Sequence, residues 1–289
     1  MQQYSIAGQT IQIFGEGWGS LPGFYYFQSS EKTSNDPMLI IHTETALQDW
    51  DIPPILVSEH EETNYDLCVR DDVYLFRMKQ RDGSCVLAEI RREGNVFQAS
   101  IHQTGTFSNI SLSYLCWLLF GVAALSRQIV SIHSSVVMHQ GKSTLFLGES
   151  GTGKSTHTRL WLKHLPNTEL LNDDSPFIRI ETDSSIRAYG SPWSGKTACY
   201  KDLSTPVAAF VRLSQAPYNR IRQLKGIEAI GALLPSCPFT FAYDKGLSES
   251  IYSIISNALR QAPVYHLECL PDADAAHLVY STLKQNNYL

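Results

Sequence analysis

No apolar run in the 289 residues is long enough to cross a bilayer. The longest, Tyr114 to Leu125, has twelve residues, where about 20 are needed. It reads as a buried core helix, and no membrane association is expected. The opening stretch MQQYSIAGQT has neither a basic start nor an apolar segment, so no signal peptide is expected. The six cysteines (Cys68, Cys85, Cys116, Cys199, Cys237 and Cys269) lack C-x-x-C spacing and read as free thiols of a reducing cytoplasm. An excess of basic charge is missing too. The formal net charge is −5, and Lys and Arg occur singly or in pairs such as Arg91–Arg92, so no nucleic-acid partner is expected. There is no internal repeat and no low-complexity tract.

What is present is the composition of a folded chain: 43% hydrophobic and 18% charged residues, enough for a sizeable core. The length suits about two domains. Up to residue 110 the sequence reads as short β-branched or aromatic strands bounded by Gly, Asp or Asn: YSIAGQTIQIF, GFYYFQ, MLIIHTE, DVYLFRMK, CVLAEIRR and NVFQASIHQ. Arg81–Ser84 (RDGS) is expected to be a hairpin turn, and GEGWGS at residues 15–20 a plain loop. This front part, residues 1–110, is expected to be an antiparallel β domain without a catalytic constellation, serving to recruit substrate. Residues 111–289 are expected to form the second domain.

There the pattern changes. SSVVMH and STLFLG read as strands joined by a tight QGK turn, followed by GESGTGKST and a helix, STHTRLWLKHL, ended by Pro166. The stretch Gly148, Glu149, Ser150, Gly151, Thr152, Gly153, Lys154, Ser155, Thr156 fits G-x-x-x-x-G-K-[ST] between a strand and a helix. Glycines let successive N–H groups turn inward on phosphate oxygens, and the helix start adds the positive end of its dipole. Lys154 is suited to reach the β- and γ-phosphates and Ser155 to ligate Mg²⁺. A nucleoside triphosphate site is expected.

Asp173 and Asp174, ending LLNDD, follow Lys154 by 19 and 20 residues. A right-handed strand–helix–strand unit returns them to the loop. Neighbouring strand residues point to opposite sides, so one carboxylate is placed to hold Mg²⁺ and the other to face a nucleophile. His133, before SSVVMH, is a third candidate, brought near the loop by the hairpin.

The stretch IHSSVVMHQGKSTLFLGESGTGKST…LLNDD resembles the carboxy-terminal catalytic domain of HPr kinase/phosphorylase. More distantly it is similar to ATP-dependent phosphoenolpyruvate carboxykinase. Shared are a histidine before the loop (His133 precedes Gly148 by 15 residues), the inner Ser150–Gly151 and the Asp-Asp pair. The resemblance implies an α/β class (α+β overall), with a P-loop domain of mixed sheet and flanking helices behind a smaller β-rich domain. It implies Asp174 as the general base on the acceptor hydroxyl, Asp173 and Ser155 around Mg²⁺, and His133 near the transferred phosphate. It also implies ATP as donor and assembly into a homo-oligomer. Two departures stand out. Arg187 occupies the glutamate position of the E-x-R-G-x-G signature, which weakens any implication of phosphorylase activity. The front domain does not resemble that of HPr kinases, and the pattern fits better with bacterial HPr-kinase-like proteins, some of which accompany modified-peptide systems.

Behind this region PVAAFVRL and NRIRQL read as paired strands, GIEAIGALL and LSESIYSIISNALRQA as helices, and PVYHLECL with PDADAAHLVYSTL as a closing strand and helix. Lys196 or Arg187 is a candidate to neutralise phosphate charge. Arg212, Arg220 and Arg222 are able to bind phosphate or base but fit exposed strand faces better, and His266 and His277 have no metal-ligand spacing. The expected function is a cytoplasmic, ATP- and Mg²⁺-dependent kinase acting on a hydroxyl of a protein, peptide or small molecule. The alternatives are a nucleotide-binding regulatory module without turnover and a carboxykinase-like lyase.

Overall fold

The computed structural model describes residues 1–15, 21–29, 36–59, 63–195 and 197–289. The GEGWGS loop beyond Gly15 and Lys196 lie outside the described residues. The chain is of mixed α/β class, with two mixed sheets and five α-helices among the described residues. It divides into two compact units, Met1–Arg127 with Phe239–Ser248, and Gln128–Pro238 with Glu249–Leu289.

The first unit carries β1 (Gln2–Ile6), β2 (Gln9–Phe14), β3 (Leu39–His42), β4 (Leu56–Ser58), β5 (Thr63–Arg70), β6 (Val73–Gln80), β7 (Cys85–Glu93), β8 (Val96–Thr104) and α1 (Asn109–Leu125). The strands run in the order β1-β2-β3-β8-β7-β6-β5-β4. YSIAGQTIQIF is a hairpin, β1–β2, turning at Ala7 and Gly8, both at positive φ, as a tight two-residue turn requires. The sheet is not purely antiparallel: β3 lies parallel to both β2 and β8. The long connection from β2 to β3 leaves room for the crossover that parallel pairing needs. GFYYFQ is not a strand. Phe24–Phe27 form a turn of 3-10 helix, burying Phe24 and Phe27, because their aromatic rings serve the core without a strand partner. Helix α1 is apolar on nearly every face and buries Leu115, Leu119 and Leu125, as all-round hydrophobicity demands. A boundary at residue 110 assigns this helix to the second domain; in the structure it falls in the first unit. It has 17 residues, and no helix among the described residues is long and apolar enough to cross a membrane.

The second unit carries β9 (Ile129–Ser131), β10 (Ser134–His139), β11 (Lys142–Leu147), α2 (Lys154–His164), β12 (Thr168–Asp174), β13 (Phe177–Ile180), β14 (Ile186–Tyr189), β15 (Ser204–Gln215), β16 (Arg220–Leu224), α3 (Ile227–Leu233), most of α4 (Lys245–Gln261), β17 (Val264–Cys269) and α5 (Ala273–Gln285). Its sheet runs β12-β10-β11-β15-β14-β13-β9, with β17 beside β15 and β16 outermost. Strands β10 and β11 form a hairpin turning on Gln140 and Gly141, again both at positive φ. Strands β15 and β16 are not paired, contrary to expectation: β17 lies between them, parallel to β15 and antiparallel to β16. Burial explains the order. Val264, Tyr265 and Leu267 of β17 are buried, whereas Arg220, Arg222 and Gln223 of β16 are exposed and suit an edge. Under the sheet, Trp161 of α2 is fully buried among Val137, Phe146, Leu165 and Leu283, which anchors the helix that follows the glycine loop.

Candidate functional site

Strand β11 ends at Leu147, and the chain then makes a loop, Gly148–Gly153, before α2 begins at Lys154. Gly148 has φ 144°, and a Cβ there would stand 2.5 Å from Thr152 Oγ1, so only glycine fits. Gly153 caps α2 at φ 105°. The Thr152 hydroxyl and N–H both donate to the Glu149 carbonyl, closing the loop on itself. Glu149, Ser150, Gly151 and Thr156 are exposed around it.

Strands β10 and β12 bring the other candidates to the same end of the sheet. The register sets Ser134 opposite both Leu147 and Asp174, and Ser135 opposite Asp173. Strand β10 separates β11 from β12, so the crossover through α2 spans one intervening strand and still returns the carboxylates to the loop. The two carboxylates then diverge. Asp173 is buried and its Oδ1 accepts from Ser155 Oγ at 2.9 Å. Asp174 is partly exposed; its Oδ1 lies 3.2 Å from His133 Nδ1 and its Oδ2 accepts from Ser175 Oγ at 3.1 Å.

Lys154 closes the circuit. Its ammonium donates to the Gly148 carbonyl at 2.7 Å, the Glu149 carbonyl at 3.2 Å and His133 Nε2 at 2.9 Å. An ammonium only donates, so Nε2 of His133 is the acceptor and Nδ1 carries the proton that Asp174 receives. Asp174, His133 and Lys154 thus form one chain of hydrogen bonds. Burial alone would raise the Asp174 pKa, but His133, Ser175 and the Lys154 charge outweigh it and hold the carboxyl below its ordinary value. Burial and the neighbouring Arg212 push Lys154 below its ordinary value, against the pull of Asp174 and Asp173.

Arg212, expected on an exposed strand face, is instead largely covered beside the loop, and one contributor, Asn172, carried no signal in the sequence at all. Arg212 of β15 stands opposite Leu147 in register, immediately before the loop. Its Nη2 is 3.8 Å from Glu149 Oε1, so a second cation flanks the glycines. The available signal was a lone arginine inside the apolar run AAFVRL. Asn172 is fully buried beside the two acids. Its Nδ2 donates to Ser191 Oγ at 3.2 Å and the Trp193 carbonyl at 3.0 Å, and its Oδ1 accepts from Ser175 N–H at 3.0 Å. It fastens the SPWSG loop against β12, where Gly195 N–H donates to the Asp173 carbonyl at 2.6 Å. Arg187 is elsewhere. It pairs with Pro206, at the end of β15 remote from Arg212, and its Nη2 donates to the Ser204 carbonyl at 2.8 Å. That guanidinium is committed to the neighbouring strand.

No protein-family profile and no curated protein sequence matches the chain. Among solved structures the chain is similar to the Hpr(Ser) kinase/phosphatase from Coxiella burnetii. The two are 12% identical, the match covers 54% of this chain and 95% of that one, and the TM-score is 0.30. At that level the likeness is a distant one and carries nothing about the site.

Proposed function

We propose that this chain is a kinase that moves the γ-phosphoryl group of ATP to a hydroxyl on a protein, peptide or small molecule. The observation that supports the reading best is the convergence of Lys154, His133, Asp174, Asp173 and Ser155 at one end of one sheet, around a loop whose first glycine, Gly148, leaves no room for a side chain. Phosphoryl transfer asks little more of a protein than this: positioning, neutralisation of charge and a base for the attacking oxygen.

Lys154 exchanges its bonds to the Gly148 and Glu149 carbonyls for phosphate oxygens, and the loop N–H groups hold the same anion. Ser155 Oγ and Asp173 Oδ1 are oxygen donors 2.9 Å apart beside the loop. No group of three or more His, Cys, Asp or Glu among the described residues could hold a metal on its own. One carboxylate, one hydroxyl and phosphate oxygens are a donor set that suits Mg²⁺. Ser155 and Asp173 would hold that ion, which when bound neutralises phosphate charge. Asp174 takes the proton of the acceptor hydroxyl as its oxygen bonds to the γ-phosphorus and the bond to the β–γ bridging oxygen breaks, releasing ADP. His133 orients Asp174 through Nδ1–H and keeps Lys154 in reach through Nε2. Arg212 adds positive charge on the opposite flank.

The test is incubation with γ-labelled ATP and a native extract, followed by mass spectrometry of the labelled product. Asp174→Asn is expected to bind ATP as the wild type does and to lower transfer by about 100-fold or more. Equal loss of binding and transfer would remove Asp174 from the role of base. Binding with no labelled product from any extract would make the chain a nucleotide sensor.

A further inference from the structure

A cavity of about 540 Å³ opens on the other side of the glycine loop from His133 and Asp174, within the range of small-molecule sites. It shares Gly151, Thr152, Gly153 and Thr156 with the loop and is continued by Leu160, Leu213, Ala216, Leu270 and Pro271. The sheet order β12-β10-β11-β15, with β17 next to β15, gives the site a polarity. The acids lie on the β10–β12 flank and the cavity on the β15–β17 flank, with the loop between them. Among the described residues no Asp, Glu, Lys or Arg lines the cavity. Its histidine, His157, is buried and pushed down to about 4 by that burial, hence uncharged at neutral pH. An uncharged, mainly apolar wall joined to a phosphate loop fits a flat, neutral, heteroaromatic group attached to a polyphosphate.

We infer that this cavity is the nucleoside subsite, so that the nucleotide lies across the loop with its base over the ends of β15 and β17 and its terminal phosphate toward Lys154 and Asp174. The inference rests on Gly148–Thr156 being a phosphate loop. It adds the direction in which the ligand runs and the residues that recognise its uncharged end. Cys269 in the cavity wall supplies a reporter that needs no substitution. Burial raises its thiol pKa, so its alkylation is slow and easily followed peptide by peptide.

Two measurements test it. In the wild-type protein, ATP is expected to slow maleimide labelling of Cys269, whereas inorganic tripolyphosphate at saturation leaves the rate unchanged. In titration calorimetry, Ala216→Trp, which fills the cavity from its rim, and Leu270→Glu, which places a charge in its wall, are each expected to weaken ATP by about tenfold or more. Tripolyphosphate affinity should stay within about twofold of wild type, since the loop is untouched. Unchanged ATP affinity in both variants, equal loss of ATP and tripolyphosphate, or labelling of Cys269 indifferent to ATP would overturn the subsite. If tripolyphosphate fails to bind the wild type at all, the phosphate loop itself is misread, and the subsite falls with it.

Discussion

Asp174 sits at φ 147°, a backbone conformation that a residue bearing Cβ adopts only under strain. Such strain persists where the surroundings impose it, and here the hydrogen bonds to His133 and Ser175 and the bridge to Ser194 do so. The residue proposed as base is thus held against its own backbone preference. Asp174→Gly and Asp174→Ala remove the same carboxylate, so their difference isolates the strain. Glycine is expected to be the more stable by about 1 kcal/mol in urea denaturation, with transfer abolished in both. Alanine equal to or above glycine would show that the strain is not there. From sequence, Asp174 and its partners were legible as a spacing; its conformation was not, because φ at a strand end is set by tertiary neighbours. Asn172 was hidden likewise: a strand asparagine looks ordinary until its amide is seen holding the Ser191–Trp193 turn.

Helix α2 carries a titratable core. His157 is 2% exposed, stacks edge-on to Phe146 at 4.6 Å and accepts from Trp161 Nε1–H at 3.3 Å. Its folded pKa of about 4 lies below the ordinary 6.5, so the unfolded chain takes up the proton first. The contribution is fully present above the ordinary value and is lost as pH falls toward the folded one. Between about pH 7 and about pH 5 it should lower stability by about 2 kcal/mol. Subtracting the profile of His157→Gln isolates it from His139 and His266, which burial also depresses. Identical slopes in the two proteins would refute it. Elements with a local signal were legible: the RDGS hairpin between β6 and β7, the strand–loop–helix around Gly148, and α5, opened by Asp272 accepting from Ala275 N–H. Strand β5, TNYDLCVR, lacks clean alternation and was missed. The place of β17 between β15 and β16 was missed too, because partner choice among parallel strands leaves no mark in local pattern.

At the scale of the whole molecule, the first unit is completed by a segment from far along the chain, Phe239–Ser248. Phe241 is 1% exposed and its ring stacks on Trp117 at 6.3 Å. A Cβ on Gly121 would stand 2.8 Å from it, so α1 has a glycine where that ring lies. Tyr74 donates to Asp244 at 3.2 Å in the same unit. Phe241→Ala is expected to destabilise the first unit by about 3–5 kcal/mol, read by calorimetric melting. A change below about 1 kcal/mol would mean the segment is dispensable to that unit.

That arrangement also bears on how the protein is born. Domains generally fold as units during synthesis, amino-terminal first. Here the β-rich unit leaves the ribosome early yet lacks its last piece until Ser248 has been made. From the synthesis of α1 until that of Ser248, the seat of Phe241 is an uncovered apolar surface on a nascent chain, which makes that stage the one at which a holdase chaperone has most to grip.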